Sequence, residues 1–193
     1  MRVLVACEYS GVVRRAFREK GHEAYSCDIL PSEDSSKYHF EGDVLDLLIE
    51  GEDAKYKWDL IIAHPPCTYL AVSGNRWYYN RPDLFEPAAD FATSFFNFAD
   101  RVCVENPVGR LSRLFRKPDQ YIQPWEYGHD ASKKTGLWLK GLPLLTPTKV
   151  IKKDRYANQT PSGQNKLGPS PERAKERSRT YEGIAHAMAE QWG

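Results

Sequence analysis

A cysteine behind two prolines, Pro65-Pro66-Cys67-Thr68, directly follows the apolar run Asp59-Leu60-Ile61-Ile62-Ala63. Prolines remove backbone donors and restrict the chain to extended or turn geometry. The run therefore reads as a buried strand that stops at the prolines and carries the thiol just past its carboxyl end. In open α/β sheets that crevice is where ligands bind. A thiol placed there is a candidate nucleophile. Free cysteine is also among the most buried residue types, so a packed thiol at a strand end is the alternative reading.

The elements that must hold this thiol follow from periodicity. Residues 3–7 read as a strand. Ser10-Gly11 then opens an amphipathic helix with Val12, Val13, Ala16 and Phe17 on one face, ended by Gly21. Residues 23–27 read as a second strand ending on Asp28, 31–42 as a polar loop, and 44–49 as a short helix or turn. The strand at 59–63 is followed by a long aromatic and basic loop, about 68–85, of the kind that is functional or disordered. Residues 87–99 predict a helix with Phe91, Phe95 and Phe98 in the core. A strand at 101–104 ends on Glu105-Asn106-Pro107. A further strand is expected at 135–139, a mobile segment at about 152–176 and a closing helix at 178–191. Strands alternating with helices predict an α/β fold with a mainly parallel sheet and helices on both faces. The 193 residues suit one domain, 1–193.

Composition narrows the class. The chain is 41% hydrophobic and 27% charged, as expected of a globular protein that does not enter a membrane. No apolar run approaches the ~20 residues of a membrane span. The chain starts directly on a strand, so no secretory signal is expected. Cys7, Cys27, Cys67 and Cys103 form no C-x-x-C pair, which predicts reduced thiols in a cytoplasm and no metal site. Residues 1–105 carry a net −7 and residues 106–193 a net +8. The basic half suggests a polyanionic partner, with a solvated basic face as the alternative.

In order, Glu8-Tyr9-Ser10-Gly11, Asp28, Gly42-Asp43-Val44, Pro65-Pro66-Cys67 and Glu105-Asn106-Pro107 resemble the C5-cytosine DNA methyltransferases, most closely the short, phage-type members. Ser178-Arg179-Thr180-Tyr181-Glu182-Gly183 is similar to the family's last motif. There are departures. The glycine-rich cofactor loop keeps only Gly11, Thr68 stands where glutamine is common, and the chain leaves little room for a target-recognition domain.

The resemblance implies a Rossmann-like, S-adenosylmethionine-dependent methyltransferase fold and transfer of methyl to C5 of cytosine in DNA, with weak sequence specificity. It places this activity in the cytoplasm of a bacterial or phage-infected cell. Cys67 would add to C6 of the base, and Glu105 would hydrogen-bond N3 and the exocyclic amine; a strand-end ion-pair partner is the alternative for Glu105. Glu8, Tyr9, Ser10, Gly11, Asp28, Ile29, Asp43, Val44, His64, Pro65 and Thr180 would line the cofactor pocket. Asp28 as an ordinary strand-end carboxylate and Asp43 as a helix N-cap are equally good readings of those two. Arg76, Trp77 and Arg81 in the long loop, with Lys133, Lys134, Lys152 and Lys153, would contact nucleic acid. A free cytosine nucleotide or RNA as substrate, and a non-catalytic binding module, are the competing functions.

Overall fold

The computed structural model describes residues 1–50, 57–72, 80–163, 165–167 and 172–193. Seven strands form one sheet: β1 (Arg2–Ala6), β2 (Glu23–Asp28), β3 (His39–Glu41), β4 (Leu60–Ala63), β5 (Val102–Pro107), β6 (Gln120–Ile122) and β7 (Thr135–Lys140), in the order β3-β2-β1-β4-β5-β7-β6. Every pairing among β1 to β5 is parallel; β7 runs antiparallel to both β5 and β6. The fold is therefore α/β with a mostly parallel mixed sheet, compatible with a Rossmann-like architecture.

Successive strand residues point to opposite faces, and here both faces are covered. Val3, Val5, Leu60 and Ile62 pack with Val13 and Phe17 of α1 (Val12–Glu19) and with Met188 and Trp192 of α6 (Glu182–Trp192). Leu4, Ala6, Ile61 and Ala63 face Val44 and Leu48 of α2 (Val44–Glu50), Ala89 and Ala92 of α3 (Phe85–Ser94) and Phe95. All four residues of β4 are buried, which explains its unbroken apolar run. Gly183 sits where a Cβ would strike the Tyr127 carbonyl, so the first turn of α6 presses directly on that loop.

Several boundaries differ from the periodicity reading. β3 lies inside the segment read as a polar loop, and β6 was not anticipated; each has three residues, too few to show alternation. α3 starts at Phe85 and its expected end is a 3-10 turn, Phe95–Asn97, with Phe95 buried against Phe91. The closing helix, α6, starts at Glu182 rather than 178, because the backbone of Tyr181 is extended, and a further helix, α5 (Glu172–Ser178), occupies the end of the segment expected to be mobile. A short helix, α4 (Leu111–Leu114), follows β5. Among the described residues no helix is long and apolar enough to cross a membrane, and no group of three His, Cys, Asp or Glu side chains is placed to hold a metal.

Candidate active site

Strand order reverses between β1 and β4: from β1 the chain moves outward through β2 and β3, then returns to β4 and continues through β5 on the other side. The carboxyl ends of β1 and β4 therefore frame a switch-point crevice. Cys67 lies just beyond β4 and is exposed, and all four cysteines are free. Leu70 and Ala71 donate backbone N–H groups to the Cys67 carbonyl at 3.1 and 2.8 Å, which folds the chain into a turn behind the thiol. Pro65 is buried, and its carbonyl accepts the side-chain amide of Asn106 at 3.2 Å. The Pro-Pro-Cys corner is thus tied to the Glu-Asn-Pro end of β5. Asn106 is fully buried, and its Oδ1 has no hydrogen-bond partner among the described residues.

The Glu105 charge reaches the Cys67 thiol. The neighbouring chain strips part of the water from this solvent-accessible thiol and pushes it above its ordinary value, and Glu105 adds to this, while Lys133 and Arg177 pull it back down. Burial would also raise Glu105, but Lys133, His64 and Thr135 outweigh it and hold the carboxyl below its usual range. The charges of Lys133, Arg177 and Glu105 thus all act on the Cys67 thiol. Lys133 arrives because β7 is antiparallel, so that Thr135 pairs with Pro107 at the carboxyl end of β5. Gln123 fixes the approach by accepting the Lys133 backbone N–H at 2.9 Å. Lys133 is an expected nucleic-acid contact. Arg177 was not singled out; a charge on a short helix more than a hundred residues from Cys67 carries no local sequence signal.

The turn after β1 departs most from expectation. Glu8 is buried, and its carboxylate accepts the N–H groups of Val13 at 2.7 Å and Arg14 at 3.2 Å. It therefore fills the amino end of α1 from within. Burial raises its pKa despite His64, these N–H groups and Arg14. Gly11 adopts φ 67° against the Arg14 guanidinium, a position that favours glycine on both counts. Cys7, with φ 58°, is a strained non-glycine residue at the end of β1. Tyr9 is buried; its hydroxyl donates to the Lys175 carbonyl at 3.0 Å and meets Ser178 Oγ at 3.2 Å. Ser10 is buried inside the same turn. Thr180 is half-buried in the link between α5 and α6.

At the end of β2, Asp28 is half-buried and accepts the Leu30 N–H at 2.9 Å; burial raises its pKa. Ile29 beside it is 75% exposed, an apolar shelf with nothing on it. Asp43 accepts the Leu45 N–H at 2.9 Å, which is the helix-capping arrangement. Val44 buries its side chain in the core, so only its backbone is left to face a ligand. His64 is nearly buried, with Nδ1 at 3.3 Å from Glu105 Oε2, and its charge is felt by Glu8.

Of the anticipated nucleic-acid contacts, Arg76 and Trp77 lie outside the described residues. Arg81 pairs with Asp83 at 2.9 Å on the surface. Lys134 is exposed, its ammonium 4.5 Å from the centre of the Tyr121 ring. Lys152 is exposed and Lys153 pairs with Asp130. The segment expected to be mobile is tied down in its first part: Ala157 N–H donates to the Asp130 carbonyl at 3.2 Å, and Asn158 bonds both the N–H and the carbonyl of Ser132 at 2.9 Å. A cavity of about 610 Å³ against Met1, Trp58, Arg101 and Lys140 lies at the opposite end of the sheet, and its lining includes no cysteine or histidine.

Comparison of the chain with protein-family models and with curated proteins finds no match.

Proposed function

We propose that the protein transfers a methyl group from S-adenosylmethionine to C5 of cytosine in DNA through a covalent adduct on Cys67. The observation that carries this reading is the exposed Cys67 beyond β4, tied to the adjoining Glu105-Asn106-Pro107 of β5 by the Asn106–Pro65 hydrogen bond. Thiolate attack on C6 makes C5 nucleophilic. After methylation, loss of the C5 proton to solvent and expulsion of the thiolate restore the ring. Glu105 passes a proton, taken up from solvent, to N3, where electron density accumulates during attack, and its other oxygen accepts a hydrogen bond from the exocyclic amine. Lys133 and Arg177 favour the thiolate.

The donor pocket fits a sulfonium nucleoside better than a dinucleotide. Helix amino ends are natural phosphate sites, but here Glu8 already accepts two N–H groups of α1 and adds negative charge. A phosphate there would meet a buried carboxylate; a cationic sulfonium or ammonium would meet complementary charge. Asp28 would receive the ribose hydroxyls and exposed Ile29 would cover the adenine face. When bound, the donor supplies an electrophilic methyl group.

Asp28→Ala is expected to weaken donor affinity by about 1.5–3 kcal/mol, the worth of a charge-assisted hydrogen bond, while turnover at saturation changes little. Calorimetry with unchanged affinity would remove Asp28 from the pocket. The reaction itself is tested by incubating the protein with labelled S-adenosylmethionine and duplex DNA, single-stranded DNA, RNA or cytidine nucleotides, then analysing nucleosides by mass. 5-Methylcytosine in DNA is expected. Label in nucleotides or RNA alone would replace DNA as the substrate, and no label in any arm would overturn the reading.

A further inference from the structure

We propose that His64 is a positioning residue that holds the Glu105 carboxylate in place beside Cys67. The inference rests on the catalytic reading of Glu105 given above, and its test includes a measurement that needs no turnover.

Strand order creates the arrangement. β4 lies between β1 and β5, with Ala63 opposite both Ala6 and Val104. The next residue, His64, therefore lies between the turn after β1 and the position of Glu105. Its backbone N–H continues the ladder to the Ala6 carbonyl at 2.9 Å, which fixes where the ring can sit. The side chain is 7% exposed and that of Glu105 is 15% exposed. Nδ1 approaches Glu105 Oε2 at 3.3 Å, and Nε2 is buried without a hydrogen-bond partner among the described residues.

A histidine kept only for packing would have both nitrogens satisfied or be replaced by an apolar ring. An orphaned buried nitrogen is costly, and such atoms call for a functional account. Here the ring's one hydrogen bond among the described residues goes to the proposed catalytic carboxylate. With Nδ1 protonated, the N–H donates to Oε2 and limits rotation of the carboxylate. This resembles the way residues behind a functional group fix its orientation. The charged and titratable groups that act on the pair are Glu8 from the turn after β1, Cys67 from the segment after β4, Cys103 from β5, and Lys133 with Thr135 from the start of β7. Arg14 reaches the pair only through Glu8.

Three variants separate positioning from packing. His64→Ala removes the donor, His64→Asn retains an N–H near the Nδ1 position, and Glu105→Gln assigns the Glu105 titration. Turnover of His64→Ala is expected to fall roughly 10–100-fold, the usual cost of losing such a supporting residue, with KM for the donor unchanged. His64→Asn should recover most of it.

The independent readout is a titration of ¹³C-labelled glutamate side chains by NMR. The resonance missing in Glu105→Gln should titrate at higher pH in His64→Ala than in the parent, because burial then acts on Glu105 with one fewer donor to oppose it. In His64→Asn it should stay near the parent position. An unmoved Glu105 titration in His64→Ala would overturn the proposal. A raised donor KM with unchanged turnover would overturn it too, returning His64 to the donor pocket. If the parent transfers no methyl group at all, the proposed function fails, while the titration still decides whether His64 controls Glu105.

Discussion

Cys67→Ser is expected to fold as the parent does, bind S-adenosylmethionine with unchanged affinity and lose methyl transfer by several orders of magnitude. A hydroxyl is far less acidic than a thiol, and the surroundings of Cys67 already oppose ionisation: the neighbouring chain strips part of the water from the solvent-accessible thiol, and the Glu105 charge adds to this, so that both raise its pKa. Folding should survive because the side chain is exposed and the turn is held by the Cys67 carbonyl, which serine retains. The same electrostatics give an opposed pair of outcomes. Glu105→Gln removes a negative charge beside the thiol, so alkylation of Cys67 by iodoacetamide should speed up near neutral pH even as methyl transfer collapses. Lys133→Ala should slow alkylation, since it removes a charge that favours the thiolate. Peptide mapping distinguishes Cys67 from buried Cys27 and Cys103 and from half-buried Cys7. Full transfer activity in Cys67→Ser would remove the covalent mechanism. Slower alkylation in Glu105→Gln would show that the two side chains do not share a site.

The parts of this arrangement legible in the sequence are those written in contiguous residues. β1, β4 and β5 show as apolar runs because the central parallel strands are buried on both faces, and the prolines after β4 announce where Cys67 leaves the sheet. What escaped depends on strand order. That His64 lies between the turn after β1 and the position of Glu105 follows from β4 inserting between β1 and β5, which no local pattern encodes. Lys133 reaches Cys67 only because β7 is reversed. Glu8 could be placed in the turn after β1, but not with its carboxylate turned inward against α1. The sequence likewise shows nothing of Arg14, an arginine on the helix face that holds Val13 and Phe17, buried to 1% exposure. Charged residues are rarely so buried unless paired, and its partner is twenty residues away.

That partner supplies the second large effect. Asp34→Ala is expected to destabilise the protein by about 3 kcal/mol, because it leaves a buried guanidinium without its counter-ion. For a chain of this size the melting temperature should fall by roughly 10 °C. Arg14 ties four elements together: its Nη2 pairs with Asp34, its Nη1 donates to Ser26 Oγ at 2.8 Å, Ser26 Oγ meets His39 Nδ1 at 2.8 Å, and His39 Nε2 reaches the Leu30 carbonyl at 2.9 Å. Through these bonds α1, β2, β3 and the loop after Asp28 move as one body. The variant should therefore bind S-adenosylmethionine more weakly, since Asp28 ends β2 and Ile29 opens that loop, yet keep near-parent turnover at saturating donor. The pH dependence has a definite sign. Burial alone would raise the Asp34 carboxyl, but Arg14, Ser32 and Arg15 hold it well below the usual carboxylate range. The stability it contributes is present above the unfolded carboxylate value of about 4 and is lost as pH falls through the depressed folded value. The gap in unfolding free energy between parent and variant should thus be full at neutral pH and shrink in strong acid. Denaturant titrations across that range check both. A variant as stable as the parent at pH 7 would mean that water, not Asp34, satisfies Arg14, and a gap that widens in acid would reverse the assigned linkage.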